Sequence, residues 1–153
     1  MSVEQDFPTL FGRFTTVLRD HNELKTTLRQ LLDLCAALES GKSSLLDGVT
    51  PAQLVRELQR KLSEHFAAEE SERYFGVVEA EEPALSPQIR QLRVEHQKML
   101  EMALALSTFA ADPTCWAQLA PPLRTLIARF QLHEHAESAL LNRLFRPRFA
   151  RTS

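Results

Sequence analysis

TPAQLVRELQRKLSEHFAAEE, residues 50–70, carries both the start of a helix and one continuous apolar face. Thr50 is a candidate N-cap, Pro51 suits the first helical position, and Gln53 completes a capping box. Apolar side chains then recur at helical spacing, at Leu54, Leu58, Leu62 and Phe66. This pattern predicts an amphipathic helix over 51–76.

The same periodicity predicts three further helices, over 8–39, 87–110 and 122–146, the last ending before Pro147. Turn-rich segments at 40–48 and 79–87 separate the first three, and a short turn or helical piece around Trp116 precedes the fourth. We find no alternation of the kind that a half-buried strand requires. We therefore predict an all-α fold, an antiparallel up-down-up-down four-helix bundle, in one domain spanning 1–153.

Composition and charge narrow the function classes. Hydrophobic residues make up 44% of the 153 residues and the net charge is −2, which gives no basic patch for nucleic acid or an anionic membrane. Apolar runs stay short of the roughly 20 residues that a membrane span needs, and the N-terminus does not resemble a signal peptide. Cys35 and Cys115 stand apart without a CxxC pair, which indicates two free thiols. These features predict a cytoplasmic protein.

Four of the five histidines fall one per predicted helix, within the apolar stripe of each: His21, His65, His96 and His133. At a rise of about 1.5 Å per residue, antiparallel packing would bring all four near mid-height of the bundle. His135 follows His133 by two residues, so it points to the opposite side of its helix and should be exposed.

Two glutamates accompany these histidines in a repeated pattern. Glu69 follows His65 by four residues and Glu137 follows His133 by four, so each pair shares a helix face. A single inward histidine is most often an ordinary core residue, but a carboxylate inside a bundle is costly unless it is paired or bound to a cation. The joint pattern predicts a metal site, and imidazole with carboxylate suits iron, with zinc or manganese as alternatives.

These motifs resemble the hemerythrin-like family, also called HHE cation-binding domains, over nearly the whole chain. The resemblance rests on RDHNEL (19–24), HFAAEESERYF (65–75), RVEHQKML (93–100) and HEHAESALL (133–141). It implies a non-haem centre of two iron ions, bridged by oxide or hydroxide, in a four-helix bundle. The implied ligands are His21, His65, Glu69, His96, His133 and Glu137. In the family the carboxylates typically bridge the metals, a role that falls here to Glu69 and Glu137.

The chain departs from the family's better-known patterns. Oxygen-carrying hemerythrins have HxxxH on the third helix, where this chain has Leu100, and HxxxxD on the fourth, where it has Ser138. The related proteins linked to iron–sulfur repair use one further histidine, for which the 41–48 segment offers no counterpart. Four histidines instead of five leave open metal positions, which favour reactivity with small ligands over simple carriage.

Further residues are candidates for the site and its surroundings. Glu70, Glu72 and Glu101 could each supply a further ligand, Glu72 first among them, against the alternative of surface charge. Helical phase places Tyr74 on the far side from His65, so we do not expect a ligand there. Glu134 and His135 are interpreted as bystanders. The bulky residues expected over the metals are Phe14, Leu24, Phe66, Leu100 and Phe130.

Three functions remain open from the sequence. The first is a di-iron protein that binds or senses O₂, NO, peroxide or related small oxidants. The second is a di-iron enzyme for peroxide breakdown, iron oxidation or repair of iron centres. The third is a partner-binding module stapled by metal, for which the tail with Arg143, Arg146, Arg148 and Arg151 is the candidate contact.

Overall fold

The computed structural model describes residues 21–37, 39–40, 50–71 and 74–150, and this part of the chain is helical without strands. We number its α-helices in chain order: α1 (21–37), α2 (Pro51–Glu70), α3 (Phe75–Glu81), α4 (Ser86–Ala110) and α5 (Ala120–Ala150). Short 3-10 helices precede α4 (Pro83–Leu85) and α5 (Pro113–Gln118). The all-α prediction is confirmed, but five α-helices occur in the described residues where four were predicted. None of these helices has the length and apolar character needed to cross a membrane.

The start of α2 forms as its sequence predicts. The Gln53 backbone N–H donates to the Thr50 hydroxyl at 3.2 Å, and the Thr50 backbone N–H donates to the Gln53 side-chain oxygen at 2.9 Å. This reciprocal capping box satisfies two N–H groups that the helix itself leaves unbonded, and Pro51 has none to satisfy. The register of α2, and with it the direction of His65 and Glu69, is therefore fixed from its first turn.

The end of α2 differs from the prediction. The helix stops at Glu70 rather than near 76, because Ser71 adopts an extended backbone and its hydroxyl donates to the Ala68 carbonyl at 2.6 Å. Serine side chains compete with the helical ladder in this way. A separate helix, α3, then begins at Phe75, so the predicted loop over 79–87 is helical for much of its length.

The later boundaries agree more closely. Helix α4 begins at Ser86, and the 3-10 helix that carries Trp116 precedes α5 as predicted. Helix α5 runs beyond its predicted end and continues past Pro147 to Ala150. Proline inside a helix removes one hydrogen bond and costs about 3 kcal/mol, but it does not always end the helix. Some of the predictions concern residues outside the described part of the chain: the helix start at 8–20, the loop residues 41–48, Phe14 and Glu72.

Two hydrophobic clusters lie on either side of a polar layer. The large cluster joins α1, α2, α4 and α5 around residues such as Leu31, Cys35, Leu58, Leu106 and Leu126. The small cluster joins α3 to the start of α4 and to Leu140 of α5. Along α4 the small cluster precedes His96 and the large one follows it, whereas α5 passes them in the opposite order. The buried histidines therefore lie between two apolar regions that exclude water from them.

Candidate metal centre

The six predicted ligands lie together in this polar layer, and none exposes more than 5% of its surface. We call them the histidine layer: His21, His65, Glu69, His96, His133 and Glu137. Each stands on the buried face of its helix, one or two turns from residues of the large cluster. Burial of this many polar side chains in one layer is exceptional, because buried ionisable groups normally need a partner.

The layer divides into two triads that share one carboxylate. His21, His65 and Glu69 offer ligand atoms that all lie within 4.8 Å of one another, and so do Glu69, His96 and His133. Spacing of this size suits donors that surround a single ion. Glu69 belongs to both groups, which is the position that a bridging carboxylate needs.

Glu137, on α5, lies close to histidines of both triads. Its Oε2 lies 3.3 Å from Nε2 of His21 and 3.3 Å from Nε2 of His133, one histidine from each triad. Glu69 Oε1 lies 2.6 Å from Nε2 of His65 and 3.7 Å from Nε2 of His96. Each carboxylate thus reaches histidines of both triads, so the two glutamates have equivalent connecting positions.

Hydrogen bonding to the two carboxylates of this layer is incomplete within the described residues. Neither oxygen of Glu69 accepts a well-aligned hydrogen bond there, and Oε2 of Glu137 accepts none either. Nε2 of His96 faces Nε2 of His133 at 3.1 Å, and two imidazoles cannot both direct a lone pair into that gap without a proton or cation between them. Nitrogen and oxygen atoms that converge on one point with unused lone pairs suit a metal cation.

The pKa shifts in the layer also fit a site for a cation. Burial alone would lower the pKa of His21, but Glu137 and Glu69 outweigh it and raise that pKa to about 10. Burial and the Glu137 carboxylate raise the pKa of Glu69. Burial would raise the pKa of Glu137 too, yet contacts with Glu69, His133 and His21 hold it well below its usual range. The two carboxylates therefore hold a positive charge on His21 in the absence of metal, and a bound cation would supply that charge instead.

His96 has a different environment. Burial, and then the neighbouring His133, lower the pKa of His96 to about 3, so its imidazole is neutral. Its ring stacks on two phenylalanines. The ring centres of His96 and Phe66 lie 4.0 Å apart with planes 10° apart, and those of His96 and Phe75 lie 5.7 Å apart with planes 11° apart. A neutral imidazole stacked on aromatic rings can bind a metal without first losing a proton.

The apolar residues expected over the metals are partly in place. Phe66 contacts His96, and Phe130 packs nearly perpendicular to the ring of His21 with ring centres 5.7 Å apart. Leu24 is buried in the large cluster, and Leu100 is half-buried and packs against it. Phe75, which the sequence pattern does not single out, also stacks on His96, with ring centres 5.7 Å apart.

Tyr74 is the residue that the sequence reasoning placed wrongly. Its hydroxyl donates to Oε1 of Glu137 at 3.1 Å, and its side chain is buried in the small cluster. Burial, followed by the charges of Glu137 and Glu69, raises the pKa of Tyr74, so the phenol keeps the proton that it donates. The error came from continuing α2 to 76, because helical phase has no meaning after the break at Ser71.

The other candidate residues lie around the layer rather than in it. Glu101 and His135 are exposed, as expected for His135. Glu70 is half-buried, with Oε1 3.4 Å from Nδ1 of His96. Glu134, interpreted as a bystander, lies 3.7 Å from Nδ1 of His21.

Comparison with known proteins agrees with this site. The family model for the hemerythrin HHE cation-binding domain matches residues 13–145. The chain belongs to the hemerythrin HHE family. Searches of the curated proteins and of the solved structures gave no significant match. Cation binding is the property that names the family, and the matched region includes both triads.

Proposed function

We propose that this hemerythrin-like chain holds two iron ions in the histidine layer and uses them to bind or sense O₂, NO or a related small oxidant. The main observation in support is that two histidine pairs share the same two carboxylates. His21 with His65 would hold one ion, and His96 with His133 the other. The scaffold we propose is the antiparallel bundle of four long helices, supported by the opposite order of the two clusters along α4 and α5.

The donor count leaves room for an external ligand. Two imidazoles and one oxygen from each glutamate would give each ion four protein donors. Iron commonly takes six, so about two positions per ion would remain for small molecules. Leu100 supports this count, because it supplies an apolar side chain one helical turn after His96, where oxygen-carrying relatives supply imidazole.

The surrounding residues would hold the donors and exclude water. Tyr74 donates to Oε1 of Glu137, which leaves Oε2 facing His21 and His133. Phe66 and Phe75 keep the ring of His96 in place and enclose it. When bound, iron would supply reversible coordination of small ligands and one-electron redox chemistry.

Metal content and the visible spectrum test this proposal. Protein produced with ample iron should contain two irons per chain, and its spectrum should change reversibly on adding and removing O₂ or NO. His133→Ala should lower the iron content, and the matched His135→Ala, two residues away on the exposed side, should not. Protein without iron, or equal iron loss in both variants, would refute the site.

The same protein distinguishes binding from turnover. If it binds O₂ or NO without consuming peroxide or oxidising added ferrous iron, the binding or sensing function is supported. Rapid peroxide or ferrous iron consumption that His133→Ala abolishes would instead establish a di-iron enzyme and overturn the sensing proposal. Binding of neither gas, by protein that contains two irons, would overturn it as well.

A further inference from the structure

The solitary histidines of α1 and α4 each meet a second carboxylate on the side away from the triads. Their Nε2 atoms face the shared glutamates, at 3.3 Å for His21 to Glu137 and 3.7 Å for His96 to Glu69. Their Nδ1 atoms face outward, toward Glu134 at 3.7 Å and Glu70 at 3.4 Å respectively. Each ring therefore has one nitrogen turned to the proposed metals and the other turned to an acid.

The two outer carboxylates occupy matching places in the sequence. Glu70 directly follows the ligand Glu69 on α2, and Glu134 directly follows the ligand His133 on α5. A step of one residue turns about 100° around a helix, so each outer acid flanks the layer and reaches a histidine of the neighbouring helix. The arrangement occurs once per triad, since His21 belongs to one and His96 to the other.

The two outer acids differ in how they are held. Lys25 places its ammonium nitrogen 3.1 Å from Oε2 of Glu134, the same oxygen that faces His21. Glu134 exposes 14% of its side chain, whereas Glu70 exposes 30%. Glu134 is thus fixed from both sides, which makes Lys25, Glu134 and His21 a continuous chain from the surface to the layer.

We propose that Glu134 and Glu70 are positioning residues that fix the tautomer and ring direction of His21 and His96. A carboxylate beside Nδ1 keeps the proton on that nitrogen, which leaves the lone pair of Nε2 for the metal and makes it a better donor. This inference rests on the proposed metal site. Glu70 contacts the outward nitrogen of His96, so it serves as a partner of that ligand rather than as a further ligand.

The test measures how fast each iron leaves to an excess of chelator. Glu134→Gln and Glu70→Gln keep a hydrogen-bond acceptor but remove the charge, and loss of such outer partners typically weakens metal binding about 10- to 100-fold. We expect each variant to bind two irons at saturation and to lose one of them roughly 10- to 100-fold faster than the unchanged protein. Lys25→Met should speed the loss of the same iron as Glu134→Gln, but by a smaller factor.

Glu101→Gln is the matched control, because it removes the same charge from an exposed position on α4. Unfolding of the chelator-treated proteins checks for general damage, and all variants should unfold alike in that state. Loss rates equal to those of Glu101→Gln, in protein that binds two irons, would overturn the inference and leave the proposed function standing. Loss of one iron at saturation in Glu70→Gln would also overturn it, since Glu70 would then be a ligand. If the protein without any substitution contains no iron, the proposed function itself is refuted.

Discussion

The large hydrophobic cluster and the histidine layer share the same long helices but are stabilised in opposite ways. Leu58 and its neighbours are buried apolar side chains, and each contributes about 1.5–3 kcal/mol by leaving water. Glu69 and Glu137 are buried just as completely, yet removing an ion from water costs several kcal/mol that its partners must offset. One region stabilises the fold by itself, and we expect the other to depend on a bound cation.

This difference indicates which region of the fold a bound metal would stabilise. The apolar stripes of the helices can assemble without an ion, because the large cluster contains no buried charge. The layer contains two carboxylates and four imidazoles that lose their common partner if the metal leaves. We therefore expect metal removal to weaken the fold without abolishing it.

Metal removal should have the largest effect. When free metal is about 1,000 times its dissociation constant, each bound ion stabilises the folded state by about 4 kcal/mol. For a chain of this size that corresponds to a fall in melting temperature of roughly 8–16 °C for each ion removed by the chelator. Calorimetry with and without chelator measures it, with His135→Ala as the control. An unchanged melting temperature in protein shown to contain iron would contradict the contrast between the two regions.

Leu58→Ala should be the next largest change, and it should not depend on metal. Leu58 is fully buried in the large cluster, so its truncation leaves a cavity that costs about 2–5 kcal/mol. Urea unfolding should give a similar loss with iron bound and after chelation. A loss that appears only in the iron-bound protein would mean that the two regions are coupled rather than independent.

Glu69→Gln should change stability in opposite directions in the two states. With iron present it should destabilise, because both triads lose their shared carboxylate. After chelation it should stabilise by about 1–3 kcal/mol, because burial and the Glu137 carboxylate disfavour the charged form of Glu69 more than its histidine contacts favour it, and glutamine is neutral. Urea unfolding of both forms measures the change, and Glu101→Gln should show neither effect. Destabilisation in both states would indicate that Glu69 has a structural role of its own.

Tyr74→Phe should change stability by a similar amount. It removes a hydrogen bond to a buried carboxylate, which is typically worth about 1.5–3 kcal/mol, and leaves the ring in the small cluster. We expect lower stability with two irons still bound at saturation. If an iron or a visible absorption band disappears with the hydroxyl, Tyr74 binds metal itself and does more than orient Glu137.

Tyr74 also shows what the sequence could and could not predict. The helix start at Thr50 and the inward faces of His65 and His133 follow from local spacing, because capping and helical periodicity act over a few residues. The contacts of Tyr74 with Glu137, and of Glu134 with His21, join residues far apart in the chain. Such contacts depend on the break at Ser71 and on how the helices rotate against one another, which a single sequence does not specify.

The two cysteines provide the least invasive test of the same contrast. Cys35 is buried in the large cluster, and burial raises its pKa to about 11, whereas Cys115 is half-buried in the 3-10 helix before α5. Because the thiolate is the reactive form, a thiol reagent at pH 8 should label Cys115 first. If the large cluster keeps about 3 kcal/mol of stability after chelation, Cys35 should still react roughly 100-fold more slowly than Cys115. Mass spectrometry of the labelled protein measures both rates. Equal labelling of the two thiols in the chelated protein would mean that the apolar region cannot hold its fold without metal.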